Sequence, residues 1–190
     1  MNDAMRANLC ALSSGDGKIL DSALLKLALA LGSLPSSGYG PSGDDPTNYN
    51  SVLSTAEREG FSDDDVAEMI GALRPLALNN ACNRQSSAIW AVGKGAPAIA
   101  LPVLLEVTRI PPDQLDSGTQ FQICISLHDC LERLSDASRA EVRDIQRILR
   151  SHDPIPFFKS LLSSSDERVP GVAEAAIDEV IRTLEDTSAE

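Results

Sequence analysis

The sequence predicts an all-α protein, and three observations carry that prediction. Apolar residues recur at spacings of three and four along nearly the whole chain, as one buried helix face requires. No segment alternates apolar and polar with the β-branched residues a half-buried strand needs. Aromatic residues are only 4% of the 190 positions while Ala and Leu are abundant, which favours helices packed closely through small side chains.

The first strong element is "KILDSALLKLALAL", predicting a helix over 18–31 that is apolar on nearly every side and therefore central and well buried. Gly32 and Pro35 end it. A stretch with three Pro, three Gly and two Tyr follows from Ser33 to Asn50 and predicts a long loop, with Tyr39 and Tyr49 as contact residues there. Ser62 before Asp63, Asp64 and Asp65 reads as an N-cap with acids on the first turn, where the helix dipole favours them. The triple Asp lacks the alternating ligands, the Gly and the distal Glu of a calcium loop. Pro75 is expected to end or kink the helix that follows. Further helices are predicted over 82–92, 97–109, 119–134, 138–150, 154–163 and 167–184.

Within "SSAIWAVGKGAPAIALPVLLEV", from Ser86 to Val107, Gly93-Lys94-Gly95 raises the question of a phosphate loop. A nucleotide-binding loop needs G-x-x-x-x-G-K-[ST] after a strand. Lys94 is followed by Gly95, Ala88 stands where a Gly is required, and a helix precedes. Gly93 is expected instead to cap a helix C-terminus, with Lys94 beside the negative end of the dipole.

Two stretches repeat. "APAIALPVLLEV" from Ala96 and "DPIPFFKSLLSS" from Asp153 match at an offset of 57, pairing Pro97 with Pro154, Leu104 with Leu161 and Leu105 with Leu162. The following helices match at an offset of 50, pairing Leu127, Cys130, Leu131 and Leu134 with Ile177, Val180, Ile181 and Leu184. Ile89 and Val92 fall on Ile177 and Val180 in turn. Ile89, Val92, Leu127, Leu131, Ile177 and Ile181 are therefore expected to form one continuous core stripe.

Helix pairs that cannot bury their faces alone mark an α-solenoid. The pattern resembles the HEAT repeat, a helix ending in small residues, a Gly- and Pro-containing turn, then a helix with an aliphatic pair. The resemblance covers residues 82–184, with Asp166, Val169, Ala173 and Ile177 in HEAT-like places. Two departures stand out: Pro170 replaces the basic residue expected after Val169, and the helix over 138–150 interrupts the spacing. The resemblance implies a single domain over 1–190 built as a right-handed helical stack (a HEAT-like α-solenoid), with a divergent helical part over 1–81. It also implies that second helices line a concave face on which partners bind.

That register puts Ser86, Trp90 and Lys94, then Cys124, His128 and Glu132, then Glu174, Asp178 and Arg182 on the non-core side. Trp90, His128 and Asp178 take the equivalent middle place. Trp90 has two readings, an interface anchor or a core residue. The partner-binding candidates are Trp90, His128, Glu132, Glu174, Asp178 and Arg182, with Tyr39 and Tyr49.

The formal charge is −12, from 28 acids against 16 bases. Such a chain repels nucleic acid and anionic lipid and attracts basic proteins. The N-terminus lacks the apolar core of a signal peptide, and the run over 18–31 is too short and too charged to cross a bilayer, so a cytoplasmic location is expected. Cys10, Cys82, Cys124 and Cys130 show no C-x-x-C spacing and read as reduced thiols. Cys124 and His128 alone make neither a zinc site nor a nucleophile–base pair, and His152-Asp153 reads as a helix-start turn. The Arg139, Arg143, Arg147, Arg150 row reads as a solvated face. No catalytic residue, metal or cofactor is expected. The sequence points to a non-enzymatic protein-binding module of the inhibitor or immunity type that binds a basic protein. A structural adaptor subunit, or an enzyme using the His128 region, are the alternatives.

Overall fold

A computed structural model describes residues 1–32 and 61–186. Among these residues the chain is entirely helical, with nine α-helices, two short 3-10 turns and no strand. The helices are α1 (Asp3–Ala11), α2 (Gly17–Gly32), α3 (Asp63–Ala77), α4 (Gln85–Gly93), α5 (Pro97–Val107), α6 (Ser117–Glu132), α7 (Arg139–Ser151), α8 (Ile155–Leu161) and α9 (Arg168–Glu185). The predicted loop over 33–50, with Tyr39 and Tyr49, lies outside the described residues.

Local chemistry explains most boundaries. Ser62 caps α3 in a reciprocal box: its hydroxyl accepts from the Asp65 amide, and the Asp65 carboxylate accepts from the Ser62 amide at 2.9 Å. That carboxylate also pairs with the amino group of Met1. Ser138 and Glu141 form the same box on α7, and Asp116 caps α6 through the Thr119 amide at 2.9 Å. Pro97 opens α5 at its first position, where a missing N–H costs nothing.

Pro75 does not end its helix, because α3 runs on to Ala77. The carbonyl that Pro75 leaves without a helical donor belongs to Gly71, and both residues are exposed, so water can satisfy it. Pro102 in α5 follows the same rule, with Ala98 exposed four residues before it.

The packing order is informative. α2 packs on α4, α4 on α6, and α6 on α9, while α3 packs on α5 and α5 on α7. The two series meet through α3–α4, α4–α5, α5–α6 and α7–α9, and α1 and α8 rest on α2 and α9. α6 is thus central, burying Ile123, Cys124, Leu127, Cys130 and Leu131.

Two expectations about burial need correction, and one repeat match does not carry burial with it. Ile181 does not continue the core stripe, being 38% exposed, whereas Ile89, Val92, Leu127, Leu131 and Ile177 are buried. Leu162 is likewise 46% exposed although its counterpart Leu105 is buried, because α8 stops at Leu161. α2 is not buried all round. Ala23, Leu24, Leu27, Ala28, Ala30 and Leu31 face inward, but Ile19 and Leu25 are exposed because α2 ends its series of packed helices.

Gly93 also plays a different part from the one expected. It is the last residue of α4, and the cap that follows, Lys94, has φ −80°, so no left-handed residue closes the helix. Its role is close approach: a Cβ at 93 would sit 2.8 Å from the Ser126 Cβ on α6. The α4 terminus is closed instead by Arg133. Its guanidinium donates to the Gly93 carbonyl at 2.5 Å and the Gly95 carbonyl at 2.9 Å, a cation at the negative end of a helix.

Other helix ends are tied in the same way. Gln85 donates to the Ala77 carbonyl at the end of α3 (2.9 Å), and buried Gln146 on α7 donates to Thr183 (2.8 Å) and Asp186 (2.9 Å) at the end of α9. Bidentate ion pairs join Arg74 of α3 to Glu106 of α5 and Arg84 to Asp21 of α2.

Candidate functional site

The expected contact residues are carried by α4, α6 and α9, which pack in that order. Trp90 is half-buried and packs against the core with part of its surface showing. His128 is half-buried, while Glu132, Glu174, Asp178 and Arg182 are exposed. Cys124 is not on the outer side: it is fully buried, one turn before His128, and Ile125 is the partly exposed residue there.

Charge on this face is paired along α9 and is influenced from α6. Arg182 donates to Glu179 at 2.5 Å, and the carboxylates of Glu179, Glu132 on α6 and Asp186 together raise the guanidinium's pKa. Glu132 on α6 is thus near enough to act on the charge of Arg182 on α9. At the α4 end, burial pushes the Lys94 ammonium down, while Asp129 acts in the opposite direction. Arg168 lies over the Phe121 ring at 5.5 Å, joining α9 to the start of α6.

Among the described residues, His128, Asp129 and Glu132 form the one group whose metal-binding atoms all lie within 4.8 Å of one another. His128 Nδ1 is 3.5 Å from Asp129 Oδ1. The chemistry of this set does not favour a cation, because Lys94 already brings positive charge near Asp129 and Arg182 near Glu132.

The nucleophile readings fare no better. Burial pushes the Cys124 and Cys130 thiols up to about 12, so neither supplies a thiolate near neutrality. His152 Nδ1 lies 2.8 Å from the Ser151 hydroxyl, but that hydroxyl donates to the Ile148 carbonyl at 2.8 Å and its proton is committed. Asp153 accepts from the Ile155 amide at 3.0 Å, the helix-start role expected of it. The arginine row of α7 is exposed, opposite buried Val142, Ile145 and Leu149, as a solvated face should be.

Sequence reasoning passed over Glu179, a carboxylate only 7% exposed that stands between Asp178 and Val180 on α9. The available signal was its i, i+3 relation to Arg182, the spacing of a helical ion pair. Glu179 also lines a cleft of about 520 Å³ between the ends of α6, α7 and α9. A second cleft of about 430 Å³ lies between the end of α5 and α8, with Arg109, His152 and Phe157 in its lining. No helix among the described residues is long and apolar enough to cross a membrane.

Comparison with protein-family models gives no match, and comparison with curated proteins gives none. Among solved structures, the chain is similar to the crystal structure of an engineered protein from the Northeast Structural Genomics Consortium. The two share 16% identity over 96% of this chain and 98% of that one, with a TM-score of 0.32.

Proposed function

We propose that the chain is a non-enzymatic protein-binding module, an acidic inhibitor of the immunity type that engages a basic protein. In this reading the architecture is a HEAT-like α-solenoid, α4, α6 and α9 are the second helices of its units, and their outer sides form the binding face. The observation that carries it is the placement of Trp90, His128 and Asp178 on three successively packed helices, with exposed carboxylates Glu132 and Glu174 around them. A partly exposed Trp on a packed helix suits an interface anchor. The formal charge of −12 suits steering of a basic partner.

The test begins with affinity capture from the source cell and mass spectrometry, followed by kinetics with the captured protein. The partner is expected to be basic and to associate more slowly as salt rises. Asp178→Lys mainly slows association and leaves the melting temperature unchanged, because Asp178 is exposed. Trp90→Ala mainly quickens dissociation, with some loss of melting temperature, because the ring also packs on the core. Unaltered binding by both variants moves the interface away from α4, α6 and α9.

A further inference from the structure

Trp90 lies in the last turn of α4, and α6 together with its C-cap residue Arg133 holds that turn from two sides. On one side, Ser126 leaves no room for a Cβ at Gly93, and its hydroxyl donates to the Ile89 carbonyl at 3.4 Å. On the other, Arg133 spans the turn between α4 and α5. Its two terminal nitrogens donate to the carbonyls of Gly93 at 2.5 Å and Gly95 at 2.9 Å, while its Nε donates to the Asp129 carbonyl of α6 at 3.0 Å.

A helix end leaves its last carbonyls without helical donors. The Lys94 amide donates to Ala91 at 3.2 Å and the Gly95 amide to Val92 at 2.9 Å, which leaves the Gly93 carbonyl beyond them. Gly93 and Gly95 are both buried, and a buried carbonyl needs a donor. The arginine fork serves both carbonyls at once, with a fixed spacing between its nitrogens, and its third contact anchors the same group to α6. The end of α4 is thereby held at a set distance from α6, and Trp90 is placed with it.

We propose that Arg133 is a positioning residue for the partner-binding face. It acts through α4, holding Trp90 in register with His128 on α6, and needs no contact with the partner. This role rests on the reading of that face given above. Arg133 directly follows the exposed carboxylate of Glu132, so by charge alone its removal favours a basic partner. As a positioning residue its removal does the opposite, because a displaced Trp90 no longer completes the contact. The two roles differ in sign.

Trp90 is the sole tryptophan, so its fluorescence reports this placement without any partner. Arg133→Met keeps an apolar stem and removes the donors. It is expected to red-shift the Trp90 emission and to raise its quenching by acrylamide in the folded protein at low temperature. Arg133→Lys, which retains a cation but not the fork, falls between and carries the test where Arg133→Met does not fold. Leu161→Ala, a buried truncation on α8, should lower the melting temperature and leave the Trp90 signal where it was. An equal change of signal in that variant reduces the effect to general destabilisation and overturns the proposal. The second arm measures the captured basic protein, which should leave Arg133→Met about tenfold faster. An unmoved Trp90 signal overturns the positioning role. So does equal or tighter binding by Arg133→Met where Trp90→Ala weakens it, and that result leaves the basic-partner reading standing. Trp90→Ala without effect on binding overturns both.

Discussion

Gly93 on α4 and Ser126 on α6 touch so closely that no side chain fits between them: a Cβ at 93 would lie 2.8 Å from both the Cβ and the Oγ of Ser126 and 3.3 Å from its Cα. The crossing of two helices that carry the proposed binding face is therefore set by a hydrogen atom at position 93. The Ser126 hydroxyl at this contact also accepts from Gln122 at 2.9 Å, so it has little freedom to retreat.

Gly93→Ala is expected to lower stability by about 1–3 kcal/mol, since overpacking outweighs the gain of up to about 1 kcal/mol in helix propensity. Ser126→Gly in the same background should recover part of the loss. Urea denaturation of the two single variants and the double variant checks this, and a more stable Gly93→Ala would mean that the helices separate freely.

Leu127 and Ile181 offer a second contrast. Both were expected in one core stripe, yet Leu127 is fully buried and Ile181 is 38% exposed. Leu127→Ala should cost about 2–5 kcal/mol, and Ile181→Ala should stay within about 0.5 kcal/mol. Equal losses would indicate that something covers Ile181 in solution.

Acid should unfold the protein through its paired carboxylates. The Met1 amino group and then the Ser62 amide hold Asp65 down at about 2, Arg74 lowers Glu106, Arg84 lowers Asp21, and the Thr119 amide lowers Asp116. Each folded-state value lies below its unfolded one, so the unfolded chain takes up protons first. The stabilisation is complete above the ordinary carboxylate range near 4 and is lost as pH falls toward about 2. Denaturant midpoints measured down this range should fall steadily, and Glu106→Gln should make the decline shallower. An unchanged slope in that variant would deny the Arg74–Glu106 pair its part.

How much of this was legible in the sequence depends on the range of the interaction. The helical class and the N-cap at Ser62 rest on neighbours within four residues, which the sequence shows directly. The solvated arginine face of α7 was legible for the same reason. Ile181 was misread because repeat alignment transfers a position, while burial depends on whether another helix arrives to cover it. Pro75 does not end its helix, because the cost of a proline depends on whether the orphaned carbonyl meets water. Gly93 looked like a cap because a helix does end there, and nothing local announces that Ser126 lies against it. Tyr39 and Tyr49 lie outside the described residues, and Glu179 was hidden because an acid flanked by Asp178 and Arg182 resembles any exposed helix face.

The side chains that close helix ends carry one more consequence. Carbonyls at the ends of α3, α4 and α9 are satisfied by Gln85, Arg133 and Gln146, each borne on a different helix from the one it closes. A terminal turn of such a helix cannot fray alone, because opening it also strips a long polar side chain of its acceptor. Local fluctuations are thereby shared between neighbours. Amide protons in these last turns should exchange with solvent alongside those of the partner helix, as cooperative blocks, while the start of α2, with Ile19 exposed, opens on its own.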